Sequence, residues 1–310
     1  MDKDAKIYIA GHRGMVGSAI IRLLEDKGYA NIVTRTHKEL DLTRQADVEE
    51  FFDLEKPAYV FLAAAKVGGI MANSTSKALF FYDNAMIALN VIHAAYRSGV
   101  KKLMNLGSSC IFPRLAPQPL KEEYLLTGPL EETNDAYAVA KISAIKMCRY
   151  YNEQYGTNFL SVMPTNLYGK NDNFDLETSH VFPAMLRKIH EAKQTGGPVQ
   201  LWGDGSPLRE FLYADDLADA VVFLMDNADW QDTGDFVNVG TGKDISIKDL
   251  AHLMADIIGY KGSFSWDTTK PNGTPRKLLD VSRLSALGWT AKTPLKEGIA
   301  KTYRWYRENA

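Results

Sequence analysis

The sequence predicts an α/β protein built on a doubly wound parallel sheet, with a smaller C-terminal lobe. Three observations carry this reading. A short apolar strand passes straight into a glycine-rich turn and an amphipathic helix. Short apolar runs then alternate with helical stretches as far as residue 167, and from residue 168 the alternation breaks into shorter elements.

Lys6-Ile-Tyr-Ile-Ala10 has the apolar, β-branched character of a buried strand, and the helix after Gly11-His12-Arg13-Gly14-Met15-Val16-Gly17 runs to Asp26. A second strand is expected over Asn31–Thr36, a third over Ala58–Ala63, a fourth over Lys102–Gly107 and a fifth over Phe159–Met163, with long helices over 76–98 and 137–155 between them. This rhythm is that of a Rossmann domain over residues 1–167, where ligands sit at the carboxyl ends of the strands. Those ends carry Ala63-Ala64-Ala65, Leu106-Gly107-Ser108-Ser109-Cys110 and Pro164-Thr165-Asn166-Leu167. Residues 168–310 read as mainly a substrate-binding lobe with some segments returning to the first domain. Its expected elements are helices at 181–193, 214–227, 246–258 and 294–308, an apolar run at Val199–Gly203 and a strand at 236–239.

Composition describes a globular enzyme. The 310 residues are 45% apolar and 24% charged, with a net charge of −2. Basic residues are scattered and no uninterrupted apolar run spans a bilayer, so neither nucleic acid nor a membrane is expected as a partner. Two cysteines make no disulfide framework, and no Cys/His cluster has metal-ligand spacing; a reducing, cytoplasmic setting without a metal fits best.

Strand, glycine turn and helix together aim free backbone N–H groups at a pyrophosphate, which points to a dinucleotide. Gly11 permits the turn, Gly14 lets the diphosphate approach, and Gly17 lets helix and strand pack closely. Arg35 follows the second strand where NAD-binding chains place an acid, and Arg13 lies in the glycine turn. Two guanidiniums near one ribose favour the 2′-phosphate of NADP(H), and Glu39 and Asp41 lie too far along the chain to be the obvious ribose ligands.

Tyr137 and Lys141 stand four residues apart on one helix face, downstream of Ser108. With 15 tyrosines in the chain such a spacing arises by chance, and a surface Tyr resting on a Lys stem would satisfy it. Behind a dinucleotide turn the same set reads as a proton donor, a cation and a hydroxyl around a carbonyl that accepts hydride.

With these residues in hand, the chain resembles the extended short-chain dehydrogenase/reductases that act on nucleotide sugars. The resemblance runs through Gly11–Ser18, Ala63–Ile70, Leu106–Pro113, Val162–Gly169, Ser179-His180, Arg209–Phe211 and Gly273–Asp280. It implies a GDP-linked 4-keto sugar as substrate, inversion at C3 and C5, then reduction at C4. In that scheme Tyr137 and Ser108 serve the sugar oxygen, Lys141 lowers the Tyr137 pKa and holds the nicotinamide ribose, and Cys110 and His180 form the acid–base pair, in an order left open.

The resemblance further implies cofactor contacts from Gly11 to Gly17, Arg35, Leu42, Ala63 to Ala65, Leu106, Gly107, Tyr137, Lys141, Pro164 to Leu167 and His180. Sugar-nucleotide contacts are implied at Ser108, Ser109, Cys110, Asn166, Lys188, Trp202, Arg209, Asn272 and Lys277, together with a homodimer through the helices at 76–98 and 137–155. Two positions depart from the family pattern: Phe112 stands where Tyr is commoner and Asn272 where Asp is usual. Within the same scaffold a 4-epimerase or 4,6-dehydratase is the rival reading, and a non-catalytic NADP-binding protein a more distant one. Cys148 reads as a small buried hydrophobe.

Overall fold

The computed structural model describes residues 1–270 and 272–309. In chain order the elements are β1 (Ile7–Ala10), α1 (Met15–Asp26), β2 (Ile32–Val33), α2 (Gln45–Glu55), β3 (Tyr59–Leu62), α3 (Ile70–Thr75), α4 (Lys77–Arg97), β4 (Lys102–Leu106), α5 (Asp135–Tyr155), β5 (Phe159–Pro164), β6 (Asn166–Tyr168) and α6 (Val181–Thr195). There follow β7 (Val199–Trp202), β8 (Leu208–Tyr213), α7 (Ala214–Asn227), α8 (Trp230–Thr233), β9 (Val237–Val239), β10 (Asp244–Ser246), α9 (Ile247–Ile258), β11 (Phe264–Asp267), β12 (Arg276–Lys277), α10 (Ser282–Ala286) and α11 (Leu295–Asn309).

The main sheet has six parallel strands in the order β2-β1-β3-β4-β5-β9. Period-two alternation assigns its side chains to two layers. Ile7 and Ile9 join Ile20 and Leu24 of α1 and Leu217 and Val221 of α7 on one face, whereas Tyr8 and Ala10 join Phe51 and Phe52 of α2, Val91 and Ile92 of α4 and Ala144 of α5 on the other. Each fully buried Ile, Leu or Val among them contributes about 1.5–3 kcal/mol by leaving water.

Two of the differences from the sequence reading lie before β3. The second strand keeps only two paired residues, because the chain turns away at Thr34 toward Glu39. Helix α2 was not expected; its buried positions are confined to Val48, Phe51 and Phe52, too narrow a stripe to stand out in sequence. Of the later elements, β9 completes the main sheet beside β5, and α7 covers α1. By length and composition α4 could cross a bilayer, but half of that stretch is buried within the protein, where α4 packs on α2 and α5.

The smaller lobe is organised around β8, which pairs antiparallel with β10 and parallel with β12 and β6; β7 and β11 form a separate parallel pair. Its core draws on α6, α9 and α11, through Phe182, Leu186, Leu250, Met254, Ile299 and Tyr303. In a doubly wound sheet the ligand cleft lies outside the carboxyl ends of the strands, here those of β1, β3, β4 and β5.

Candidate active site

The turn from β1 into α1 is shaped by two glycines. Gly11 has φ +84°, and a Cβ there would come within 2.7 Å of Ala64 N; a Cβ on Gly17 would collide with the Gly11 carbonyl. Gly14 precedes α1 in an extended conformation and offers no side-chain cap, so the leading amides at Met15, Val16 and Gly17 keep their hydrogens for an anion. His12 is half-buried and Arg13 exposed in the same turn. These are the features a dinucleotide diphosphate requires, and the residues present fit it.

Arg35 donates to Thr34 O at 2.8 Å and to Glu55 Oε1 at 2.5 Å, and its guanidinium lies 5.3 Å from the Phe51 ring centroid. It is thus pre-oriented beyond the end of β2. Glu39, set aside on its distance along the chain, folds back beside it. Its carboxylate accepts from Thr36 N at 2.7 Å and Thr36 Oγ1 at 2.8 Å, bonds that hold it below the usual range, with Arg35 and Arg13 acting in the same direction. Leu42 turns its side chain into the core, and its carbonyl accepts from Asn90 Nδ2 at 3.0 Å.

At the ends of β3 and β5, Ala63 and Leu167 border one core layer and Ala64 the other, while Ala65 lies half-buried beyond them. Pro164 is the last residue of β5 and pairs with Val239. Thr165 is buried, and Asn166 Nδ2 donates to Glu210 O at 2.7 Å.

At the end of β4, Gly107 N donates to Val162 O at 2.8 Å, and the chain then tightens into a single 3₁₀ turn over Ser109–Ile111 that buries Ser109 and Cys110. Helix α5 packs on this turn and presents Tyr137 and Lys141 to it. The Ser108 side chain lies close enough to the Tyr137 phenol and the Cys110 thiol to oppose the rise in both of their pKa values. Lys141 Nζ donates to Leu106 O at 2.9 Å and stands 5.7 Å from the Tyr137 ring centroid.

Burial raises the Tyr137 pKa, Cys110 adds to the rise, and only the Ser108 hydroxyl opposes it. Lys141, expected to draw the phenol down, is not among the causes of this shift; its Nζ gives one of its hydrogens to Leu106 O, and burial keeps the phenol protonated. Burial also raises the Cys110 pKa, against the pull of Lys277, Ser108 and Lys141.

The Lys141 pKa is lowered by burial to about 8, with Cys110 opposing. Between there and the ordinary lysine value the unfolded chain holds a proton that the folded chain has released. Stability therefore rises with pH across that window, and the penalty is fully present below it. Between pH 8 and pH 10.5 the stability difference between the wild type and Lys141→Met is expected to move toward the wild type by roughly 3 kcal/mol. Denaturant melts of both proteins without cofactor would measure it, and a pH-independent difference would contradict the burial of a charge here.

His180 immediately precedes α6. Its ring meets solvent across the cleft, yet the surrounding protein desolvates it enough to lower its pKa, and Lys277 lowers it further. Lys277 itself is buried deeply enough for its pKa to fall, and it feels Cys110, Arg209 and Glu131. The sequence reading placed Lys277 among the sugar-nucleotide ligands; the structure sets it within the electrostatic reach of both Cys110 and His180. The register of β12 on β8 sets Lys277 opposite Arg209, and Leu120 N donates to Leu278 O at 2.7 Å, which ties the same segment to the chain that follows Cys110.

Along the smaller lobe, Arg209 is packed closely enough for burial to lower its pKa. Lys188 Nζ donates to Gln200 O at 3.1 Å, and Trp202, 53% exposed, leaves an indole face open with Lys270 Nζ 5.5 Å from its ring. Asn272 Oδ1 accepts from Asp204 N at 2.9 Å, so the acceptor of this departing residue is already engaged by the protein.

Glu210 escaped the sequence reading although it lies next to Arg209. Fully buried, its carboxylate accepts from Thr241 N, Gly242 N and Leu279 N, tying β8 to the chain just beyond Lys277. An acid between Arg209 and a strand-forming Phe211 was the available signal. Among the described residues no group of three or more His, Cys, Asp or Glu side chains could hold a metal ion.

Comparisons with known proteins bear on the family and the fold. The profile of the NAD dependent epimerase/dehydratase family matches residues 7–240. A protein named putative GDP-L-fucose synthase 2 from Arabidopsis thaliana is 60% identical over 311 residues, covering 100% of this chain and 94% of its own. The GDP-L-fucose synthase of Escherichia coli is 53% identical over 98% of this chain and 97% of its own. Among solved structures, a GDP-L-fucose synthetase from Naegleria fowleri bound to NADP superposes with a TM-score of 0.92 at 32% identity, over 100% of this chain and 94% of its own.

Proposed function

The chain belongs to the NAD dependent epimerase/dehydratase family, and from that premise we propose that it converts GDP-4-keto-6-deoxy-D-mannose to GDP-L-fucose, inverting C3 and C5 and then reducing C4 in one cleft with NADPH. The observation that carries this reading is the meeting of the Ser109–Ile111 turn, which bears Cys110, with the helix α5 that bears Tyr137 and Lys141, while Lys277 acts on the titration of both Cys110 and His180. Reduction alone needs the hydroxyls and the cation. A thiol and an imidazole in the same cleft are what proton removal and return beside a ketone require.

The C4 ketone acidifies the protons on C3 and C5. Cys110 and His180 exchange those protons from opposite sides, while Ser108 and Tyr137 hydrogen-bond the enolate oxygen between them. After both inversions Tyr137 passes its proton to the same oxygen as it becomes an alkoxide. NADPH, when bound, supplies the hydride to C4. Lys141 orients the cofactor's ribose and adds positive charge beneath the phenol, Arg13 and Arg35 hold the 2′-phosphate, and Lys188, Arg209 and the open face of Trp202 take the GDP moiety.

The test is to mix the purified protein, NADPH and GDP-4-keto-6-deoxy-D-mannose, follow the nicotinamide absorbance and identify the sugar. GDP-L-fucose with one NADPH consumed supports the reading. No NADPH consumed with this sugar, but turnover of a nucleotide sugar that still carries its C4 hydroxyl, would favour the 4-epimerase or 4,6-dehydratase alternative, and no turnover of either the non-catalytic one.

The free, buried state of Cys110 and Cys148 supports a cytoplasmic setting. A homodimer is supported by the apolar residues left open on α4 and α5: Leu79, Phe81, Tyr82, Val139 and Tyr150. A monomeric mass in solution at micromolar concentration would remove that part of the reading.

A further inference from the structure

His180 reaches the cleft at the end of a loop that braces itself. The Asp175 side chain accepts from Glu177 N at 3.1 Å, Thr178 N at 2.9 Å and Thr178 Oγ1 at 2.8 Å; Asn173 Nδ2 donates to Thr178 Oγ1 at 3.0 Å, and Ser179 N donates to Asp175 O at 3.0 Å. Such a loop moves as a unit, so the position of His180 depends on what the unit is fastened to.

One fastening is the segment after β3. Gly69 N donates to Thr178 O at 3.1 Å, and a Cβ on Gly69 would lie 3.0 Å from Ser179 O. Gly69 is in turn fixed by buried Asn73, whose Nδ2 donates to Gly68 O at 2.7 Å and Gly69 O at 3.1 Å. The segment is rooted on α4: Lys66 N donates to Asn84 Oδ1 at 2.9 Å, Asn84 Nδ2 returns a bond to Lys66 O at 3.0 Å, and Lys66 Nζ pairs with Asp83 at 2.9 Å.

We propose that Gly68, Gly69 and Asn73 form a clasp that positions His180 for proton transfer at the sugar carbons, a task separate from hydride transfer at C4. The proposal rests on the epimerase–reductase reading above. Gly69 and Asn73 are positioning residues; they act through Thr178 and Ser179. Reduction at C4 depends on Tyr137, Ser108 and Lys141, which are held by β4 and α5, so the two half-reactions have different mechanical supports.

The clasp is tested with Gly69→Pro, Gly69→Ala and Asn73→Ala. Gly69 has φ −66°, which suits proline, so Gly69→Pro deletes the one N–H that reaches Thr178 while keeping the backbone conformation. Gly69→Ala keeps that N–H and adds only the tight methyl. Two rates are read on each variant: deuterium uptake from D2O at C3 and C5 with NADP+ in place of NADPH, and NADPH-dependent reduction of the already epimerised 4-keto sugar.

A misplacement of about 1 Å costs on the order of 100-fold in a positioned proton transfer. Uptake is therefore expected to fall about 10- to 100-fold in Gly69→Pro and Asn73→Ala and less in Gly69→Ala, while reduction stays within about threefold of the wild type. Equal losses in both rates, or unchanged uptake, would overturn the clasp. If Gly69→Pro melts early, Asn73→Ala carries the same comparison. A wild type that neither exchanges nor reduces would instead defeat the functional reading itself.

Discussion

Tyr137→Phe is expected to lower kcat for NADPH oxidation with the 4-keto sugar by about 10²–10⁴-fold, the usual worth of a positioned general acid, with a much smaller change in KM. The substitution removes one oxygen from a ring that α5 holds against the 3₁₀ turn at Ser109–Ile111. Burial keeps that phenol protonated, so in the wild type the proton needed by the alkoxide is already in place. The Ser108 hydroxyl remains in the variant and continues to hydrogen-bond the sugar oxygen, which accounts for residual activity. Because the lost group serves the enolate as well, deuterium uptake at C3 and C5 falls in parallel, though by less. Steady-state kinetics with a thermal melt as control measures the effect, and kcat within threefold of the wild type would remove Tyr137 from the mechanism.

Cys110→Ser is expected to act on the other half of the chemistry. Serine preserves size and hydrogen bonding but holds its proton far more tightly than a thiol, so deuterium uptake at C3 and C5 is expected to fall by about 10²-fold or more. Reduction of an already epimerised sugar should stay within a few-fold of the wild type, since Tyr137, Ser108 and Lys141 are untouched. Burial raises the thiol's pKa, and Lys277 is the foremost group pulling it back. The wild-type uptake rate should accordingly report a titration that Cys110→Ser lacks. Uptake that survives the substitution would dissolve the link between Cys110 and inversion.

Much of this was legible in the chain. Ile7 to Ala10 followed by three spaced glycines announces its own local structure, because a turn and a helix start are decided by neighbours in sequence. The same holds for Tyr137 and Lys141, one helical turn apart on α5. What could not be read is decided by partners far along the chain. Lys277 reaches Cys110 from a segment held by β8 on one side and by Leu120 on the other, and Glu39 comes within reach of Arg35 because the chain folds back after Thr34. Asn272 looked like a weakened substrate ligand, whereas its oxygen serves Asp204 N, a partner 68 positions away. The sign of the Tyr137 shift was also hidden, since it depends on how deeply α5 buries the ring.

The late arrival of β9 bears on biosynthesis. The sixth strand of the main sheet lies at residues 237–239, after most of the smaller lobe's first elements have been made. A ribosome must therefore deliver more than three-quarters of the chain before β5 gains its outer neighbour. Until then the edge of β5 offers unpaired amides and carbonyls to any passing strand, which gives the nascent chain a window for misassembly that the finished molecule closes.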